Sequence, residues 1–481
     1  MNYKRKIAAI SLIALVSIYA QCNKSASPGA SVPPQPSIAG DGTLAVWVTK
    51  ADSSVLLKKV NTIRFSPGAA TTTAIQVDST QSFQGIDGFG YTLTGGSATL
   101  INQLSGPVKA ALLQELFDND ENSISISYLR VSVGASDLDP AAFSYNDLPT
   151  GETDIQQDKF SLAPDKKDLI PVLKNILAIN PKIKILASPW SPPAWMKDNG
   201  ATKGGSLKRA YHESYARYFV KYIQAMKAEG ITIDALTIQN EPLHPGNNPS
   251  LLMLADQQRD FIKDALGPAF RAANIKTKIV LYDHNLDRPD YPISILNDPD
   301  AKKYIDGSAF HLYAGNVNTM SQVHNAHPDK SLYFTEQWTG STGNFNGDLK
   351  WHTKNVVIGT MKNWSRVALE WNLASDPAYK PHTPGGCTQC KGALTINGDH
   401  VNRNVGYYII AHASKFVPDG SRRVFSTELD GLSNVAFITP QGKKVLLVLN
   451  EQAADKTFSI NFNGKQASCT LTAHTVATIV W

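Results

Sequence analysis

The sequence predicts an α/β protein: a (β/α)8 TIM barrel with an all-β sandwich side domain built from both chain ends. Three observations predict it. Short apolar segments recur along the middle of the chain with helix-period stretches between them. The segments are near-continuous apolar runs, as in Ile183–Ser188 and Asp234–Gln239, which is the pattern of parallel strands buried on both faces. Both flanks carry short alternating runs rich in Val, Thr, Ile and Phe, such as Val435–Pro440, Lys443–Asn450 and His474–Trp481, the pattern of antiparallel strands.

The strand segments are Gly85–Thr92, Ser127–Gly134, Lys184–Ser191, Ala235–Pro242, Lys278–His284, Ser308–Ala314, Ser331–Gln337 and Arg366–Ala374. Helices are expected over Leu100–Phe117, Asp165–Asn180, Leu207–Gly230, Leu251–Ala273, Asp298–Ile305 and Trp351–Trp364. Because one β-rich piece precedes the barrel and one follows it, residues 43–80 and 417–481 are expected to meet as one sandwich, leaving 81–416 as the barrel.

The N-terminus reads as an export signal. Lys4-Arg5-Lys6 precedes an apolar run from Ile7 to Ala20, shorter than the roughly 20 residues a membrane span needs. Cys22 follows at once and resembles a lipoprotein attachment site, so residues 1–22 are read as a leader and 23–42, rich in Ser, Pro, Ala and Gly, as a flexible tether. The alternative is an ordinary signal cut nearby. Either reading makes the protein exported, and the first puts it on an outer membrane surface through a lipid anchor.

Composition is that of a globular protein: 481 residues, 42% hydrophobic and 18% charged, with a formal charge of +5. Three of the basic residues belong to the leader, and no basic stripe is interleaved with aromatics, so nucleic acid is not an expected partner. A monomer is expected. Cys387 and Cys390 form a C-x-x-C without the further Cys or His that a zinc site needs, and a short-loop disulfide is the structural reading. Cys469 stands alone. No metal or cofactor is called for.

The chemistry lies in two glutamates. Glu241 ends the fourth strand in Thr237-Ile238-Gln239-Asn240-Glu241-Pro242, and Glu336 ends the seventh in Tyr333-Phe334-Thr335-Glu336-Gln337. TIM-barrel sites form at the C-terminal ends of strands, and strands four and seven face each other across the mouth. Two such carboxyls suit glycoside hydrolysis, and in retaining enzymes they stand about 5–5.5 Å apart. A carboxylate placed directly after a buried strand is costly unless it is used or paired.

With these residues in view, the chain resembles glycoside hydrolase family 30, the glucosylceramidase and endo-β-1,6-glucanase group. The resemblance rests on Gly85–Gly90, Leu129-Arg130-Val131, Ala187–Lys197, Asn240-Glu241-Pro242, Phe310-His311-Leu312-Tyr313, Thr335-Glu336-Gln337 and Leu369–Leu373, in order over residues 80–415. It implies a retaining β-glycosidase with Glu241 as acid/base and Glu336 as nucleophile. It further implies that Asn240 and Asp137 bind sugar hydroxyls, although Ser136–Pro140 also reads as an Asx-capped turn. Trp190 and Trp371 would flank the sugar. Arg130 and Tyr313 would stabilise Glu336, Arg130 equally as a structural ion pair, and His311 would orient a neighbour. Gly385–Gly392 resembles members that cut β-1,6-glucan, which makes a β-glucan the expected substrate, with glucosylceramide and xylan-type glycosides as alternatives. A non-catalytic, surface glycan-binding lipoprotein is the alternative of another class.

Overall fold

The computed structural model describes residues 42–60, 62–68 and 73–481. The leader, Cys22 and all but the last residue of the tether lie outside the described residues.

Eight parallel strands form a closed barrel: Gly88–Thr92, Tyr128–Ser132, Lys184–Ser188, Ala235–Thr237, Lys278–Leu286, Ile305–Gly315, Ser331–Glu336 and Ser365–Asn372. Closure comes from pairing of the last strand with the first, Val367 beside Gly88 through Asn372 beside Thr92. Tyr128, Leu186, Ala235, Val280, Ala309, Tyr333, Val367 and Leu369 fill the interior as one buried cluster, so the barrel is packed rather than open. At its N-terminal end Asp87 accepts two hydrogen bonds from Arg366, at 2.9 and 2.8 Å, and one from Lys184 at 3.0 Å.

Helices differ from expectation where backbone chemistry interrupts the apolar period. Leu100–Phe117 is two helices, Gly95–Gln103 and Gly106–Phe117, because Pro107 favours a helix start over a helix interior. Leu251–Ala273 contains a π-helical turn over Ile262–Leu266, and Trp351–Trp364 another over Thr353–Gly359. Asp298–Ile305 is a single short turn, Pro299–Lys302. Helix Val405–Ser414 follows the eighth strand and is buried along nearly its whole length; an apolar segment lacking a polar face offers no period to read.

The flanks interleave in one 11-stranded sheet system. Thr43–Lys50 pairs with Thr475–Val480, and Ala74–Gly85 lies between Arg422–Ser426 and Lys456–Phe462. Leu44, Val46, Ile75 and Val77 share a core with Leu446, Val448, Ile460 and Ile479. Neither end of the chain can complete this core alone. His412, on helix Val405–Ser414, ties the sheet to the barrel: its ring nitrogens lie 2.8 Å from Thr49 Oγ1 and 2.9 Å from Thr478 Oγ1.

Burial pushes His412 down to about 3, so the folded chain keeps it neutral while the unfolded chain protonates it below the ordinary histidine value near 6.5. Stability from this residue is therefore lost as pH falls from about 6.5 toward 3. His412→Leu should cost about 1–2 kcal/mol at pH 7 by removing two buried hydrogen bonds, since Thr478 Oγ1 still donates to the backbone O of residue 412 and Thr49 Oγ1 still accepts from the Leu57 N–H. It should also flatten the acid-side loss, as read by urea unfolding at pH 7, 5 and 4.

Candidate active site

The two glutamates project from the same end of the barrel and are nearly buried, Glu241 at 8% and Glu336 at 6% exposure. The turn after the fourth strand aims Glu241. Its N–H donates to Asp283 O at 2.9 Å, and its backbone sits at φ 46°, a left-handed conformation costing about 1–3 kcal/mol in a non-glycine residue. Asn240 N–H donates to Pro189 O at 2.8 Å, and Gln239 Nε2 donates to Trp190 O at 2.7 Å, fixing the fourth strand's end to the third's. Glu336 is the last residue of the seventh strand.

Beneath both lies Asp283, fully buried toward the C-terminal end of the fifth strand, Lys278–Leu286. It accepts from Arg130 Nη2 at 2.9 Å, Ser188 Oγ and Thr237 Oγ1 at 2.8 Å, and Thr335 Oγ1 at 2.6 Å, and pairs with His311 Nε2 at 3.1 Å. Burial opposes its ionisation, but the Arg130 charge and these donors hold its carboxyl far below the usual range. Arg130, also fully buried, carries Asp283 on one side and donates to Glu336 Oε2 at 2.5 Å and to Asn240 Oδ1 at 2.6 Å. Its guanidinium stacks 4.8 Å from the Trp190 ring centroid and 5.6 Å from that of Trp371. The ion-pair reading and the contact with Glu336 therefore hold together.

His311 Nδ1 stands between the glutamates, 3.4 Å from Glu241 Oε1 and 3.8 Å from Glu336 Oε1. Burial works against its charge, but Glu336, Asp283 and Glu241 together push it up to about 9. At neutral pH it is an imidazolium whose two N–H groups both face carboxylates. At Glu336, burial and the charge of Glu241 raise the carboxyl against the pull of His311 and Arg130; at Glu241, burial is outweighed by the His311 hydrogen bond and charge, which lower it. His284, which burial pushes down to about 4, is neutral and presents Nδ1 at 3.9 Å from Glu241 Oε1. Glu241, His284 and His311 bring ligand-type atoms within 4.8 Å of one another.

The remaining candidates form the walls. Trp190 and Trp371 pack against each other with centroids 5.4 Å apart. Tyr313 O–H donates to Glu336 Oε1 at 3.0 Å from a rim position that is 38% exposed. Asp137 is buried, and burial followed by the charge of Glu336 pushes its carboxyl up to about 7. It accepts from the Cys387 N–H at 3.1 Å. Cys387 and Cys390 are disulfide-bonded, while Cys469 is a buried free thiol in the sandwich. Sequence reasoning missed Asp283, His284 and Asn247, whose Nδ2 donates to Glu241 Oε2 at 3.2 Å. The signal that singled out Glu241, an acid ending a buried strand, was equally present at Asp283.

Opposed buried carboxyls at a barrel mouth, walled by tryptophans, define a glycoside hydrolase. The chain belongs to glycosyl hydrolase family 30, matching the family's TIM-barrel domain over residues 86–417 and its beta sandwich domain over 420–479. It is 34% identical to the endo-1,6-beta-D-glucanase neg1 of Aspergillus fumigatus over 431 residues, 83% of this chain and 86% of that one. It is 31% identical to mouse lysosomal acid glucosylceramidase over 409 residues, 79% of this chain and 78% of that one. The solved endo-beta1,6-glucanase BT3312 superposes with a TM-score of 0.85 at 34% identity, covering 92% of this chain and 99% of that one.

His311→Gln removes a cation that lowers both glutamates, so both carboxyls rise. The acid limb of kcat/KM should then move to higher pH, by roughly one unit, in a pH–rate profile on an aryl β-glucoside.

Proposed function

We propose that this enzyme hydrolyses β-1,6-linked glucan with retention, using Glu336 as nucleophile and Glu241 as acid/base. The carrying observation is the asymmetry of the two carboxyls. Glu336 accepts from a guanidinium and a phenol, Arg130 at 2.5 Å and Tyr313 at 3.0 Å, whereas Glu241 meets Asn247 at 3.2 Å and two imidazoles at 3.4 and 3.9 Å. Donors of that strength favour the ionised form, so the productive state has Glu336 charged and the shared proton on Glu241. Burial and the charge of Glu241 pull that proton toward Glu336, and the His311 hydrogen bond and charge drive it off Glu241. A bound glycosidic oxygen beside Glu241 supplies an acceptor that draws it back.

In the first step Glu336 attacks the anomeric carbon while Glu241 gives its proton to the departing oxygen, leaving a glycosyl ester on Glu336. In the second, Glu241 takes a proton from water, whose oxygen displaces Glu336. Two inversions give net retention. Asn240, held by Arg130, faces the sugar 2-hydroxyl, a contact that strengthens at the transition state. Asp137 accepts from the more distant hydroxyls, and Trp190 and Trp371 wall the ring.

The linkage is supported by the endo-1,6-beta-D-glucanase relatives and by the Gly385–Gly392 loop; the glucosylceramidase relatives make ceramide glucoside the competing substrate. We further propose export, on the basis of Lys4-Arg5-Lys6, the apolar run and Cys22, with lipidation detectable by mass spectrometry of the membrane-bound protein.

Product profiles on β-1,6-glucan, xylan and glucosylceramide test the substrate. Release of 1,6-linked oligosaccharides is expected, and cleavage of either other substrate alone would overturn the choice. Glu336→Gln should lose roughly 10³-fold or more in kcat. Glu241→Ala should retain turnover of aryl glucosides with good leaving groups and be accelerated by azide, giving the β-glucosyl azide. Formation of the β-glucosyl azide by the Glu336 variant instead would reverse the roles, whereas an α-glucosyl azide from it is the inverted product expected of a missing nucleophile.

A further inference from the structure

We propose that the Cys387–Cys390 loop is a clamp that positions Asp137 for sugar binding, so that the disulfide sets substrate affinity more than the rate of bond cleavage. This rests on the reading that the site takes a glucose unit with Asp137 among its binding groups.

The loop between the eighth strand and helix Val405–Ser414 touches the segments that follow three other barrel strands. Toward the second, the Cys387 N–H donates to Asp137 Oδ2 at 3.1 Å and the Thr383 N–H to Asp137 O at 2.9 Å. Gly386 lies flush against the same residue, since a Cβ there would sit 2.3 Å from Asp137 O. Toward the fourth, beyond Glu241, Asn248 Nδ2 donates to Pro384 O at 3.0 Å, and Thr383 Oγ1 donates to Asn248 O. Toward the seventh, beyond Glu336, Cys390 and Lys391 pair with Gly340 and Thr339, and the Ser341 N–H donates to Gln389 O at 2.9 Å. Cys390 packs in one buried cluster with Leu138, Trp190 and Trp371.

The disulfide joins the two halves of this span. Cys387 carries the amide that meets Asp137, and Cys390 is anchored in the short strand pair and in the tryptophan cluster. Between Asp376 and Gln389 the loop forms no helix or strand; Cys387 is held by its bond to Asp137, by packing against the tryptophan cluster and by the disulfide, which alone joins it covalently across to Cys390. Freeing it releases conformational entropy, at the expense of the Asp137 contact. That contact matters electrostatically. Asp137 faces Glu336 and Glu241 across the site, both of which disfavour its charge alongside burial, and the Cys387 N–H opposes them. A carboxylate deprived of that donor is more readily protonated and accepts fewer sugar hydroxyls.

The test compares wild type, Cys387→Ser/Cys390→Ser and Gly386→Ala, each in a Cys469→Ser background, on 4-nitrophenyl β-glucoside and on a β-1,6-gluco-oligosaccharide. Folded protein in the same background is also treated with dithiothreitol. That reagent delivers two electrons and two protons to the disulfide while closing to its own cyclic disulfide, and iodoacetamide then caps both thiols. This arm serves if the double variant does not fold. Expected are a KM raised about tenfold, equivalent to about 1.4 kcal/mol of binding, a kcat within about threefold, and a melting temperature within a few degrees. Gly386→Ala, which keeps the disulfide but pushes the loop off Asp137, should raise KM in the same way. An unchanged KM after reduction overturns the clamp, as does a fall in kcat that tracks a collapse of the melting temperature. If the wild-type protein cleaves the aryl glucoside but not the oligosaccharide, the linkage reading fails while the clamp is still read on the aryl substrate. If it cleaves neither, calorimetric binding of a glucose-configured iminosugar reads the clamp.

Discussion

The Arg130–Asp283 pair is the interaction on which the site depends. Two fully buried ions stand 2.9 Å apart at the mouth of the barrel. Isolated burial of either would cost several kcal/mol, recovered only if the remaining donors and acceptors are also satisfied. Here they largely are. Asp283 collects hydroxyls from Ser188, Thr237 and Thr335, residues of the third, fourth and seventh strands, and an imidazole from the sixth. Arg130 directs further N–H groups to Glu336 and Asn240, while its Nε is buried without a partner. One carboxylate therefore fixes the orientation of strand ends that lie around more than half of the barrel, and one guanidinium passes that orientation to Glu336 and Asn240.

The same network divides two chemically identical side chains. Glu241 and Glu336 share the imidazolium of His311, which makes simultaneous ionisation tolerable, yet only Glu336 touches the guanidinium. Enzymes of this kind need carboxyls whose environments differ. The difference here comes from an arginine belonging to the second strand and a tyrosine from the sixth, neither adjacent in sequence to the glutamate it serves. The cost is visible in the backbone. Glu241, Tyr282 and Asp283 all have positive φ, at 46°, 74° and 64°, and hydrogen bonding across the fourth and fifth strand ends holds them there.

The sandwich has a structural logic of its own. Strand Ala74–Gly85 is separated from the first barrel strand by only Ile86 and Asp87, and it sits between two C-terminal strands. Its partners, Arg422–Ser426 and Lys456–Phe462, lie beyond the barrel in the chain, so sheet and barrel are linked by connectivity as well as by His412. Long-range pairing of this kind is slow to form because loop closure precedes the contacts that stabilise it.

The sequence by itself determined the strand count, the barrel and the placement of Glu241 and Glu336 at the C-terminal ends of the fourth and seventh strands. Buried parallel strands demand uninterrupted apolar runs, and an acid at the end of such a run is conspicuous. It determined the sandwich too, since period-two alternation reports a half-buried strand wherever it occurs. It did not disclose the split after Gln103 or the buried helix Val405–Ser414, where apolar content continues through a break or lacks a polar face. Nor did it disclose Asp283 and His284. An aspartate after a strand is legible as a candidate, but its worth depends on Arg130, Ser188, Thr237, His311 and Thr335 converging on it, and those residues are brought together only by closing the barrel. The same holds for Asp137. Its neighbours in sequence read as a turn, and only the tertiary structure places it under the Cys387 amide and opposite Glu336, because side-chain electrostatics depend on distance through space.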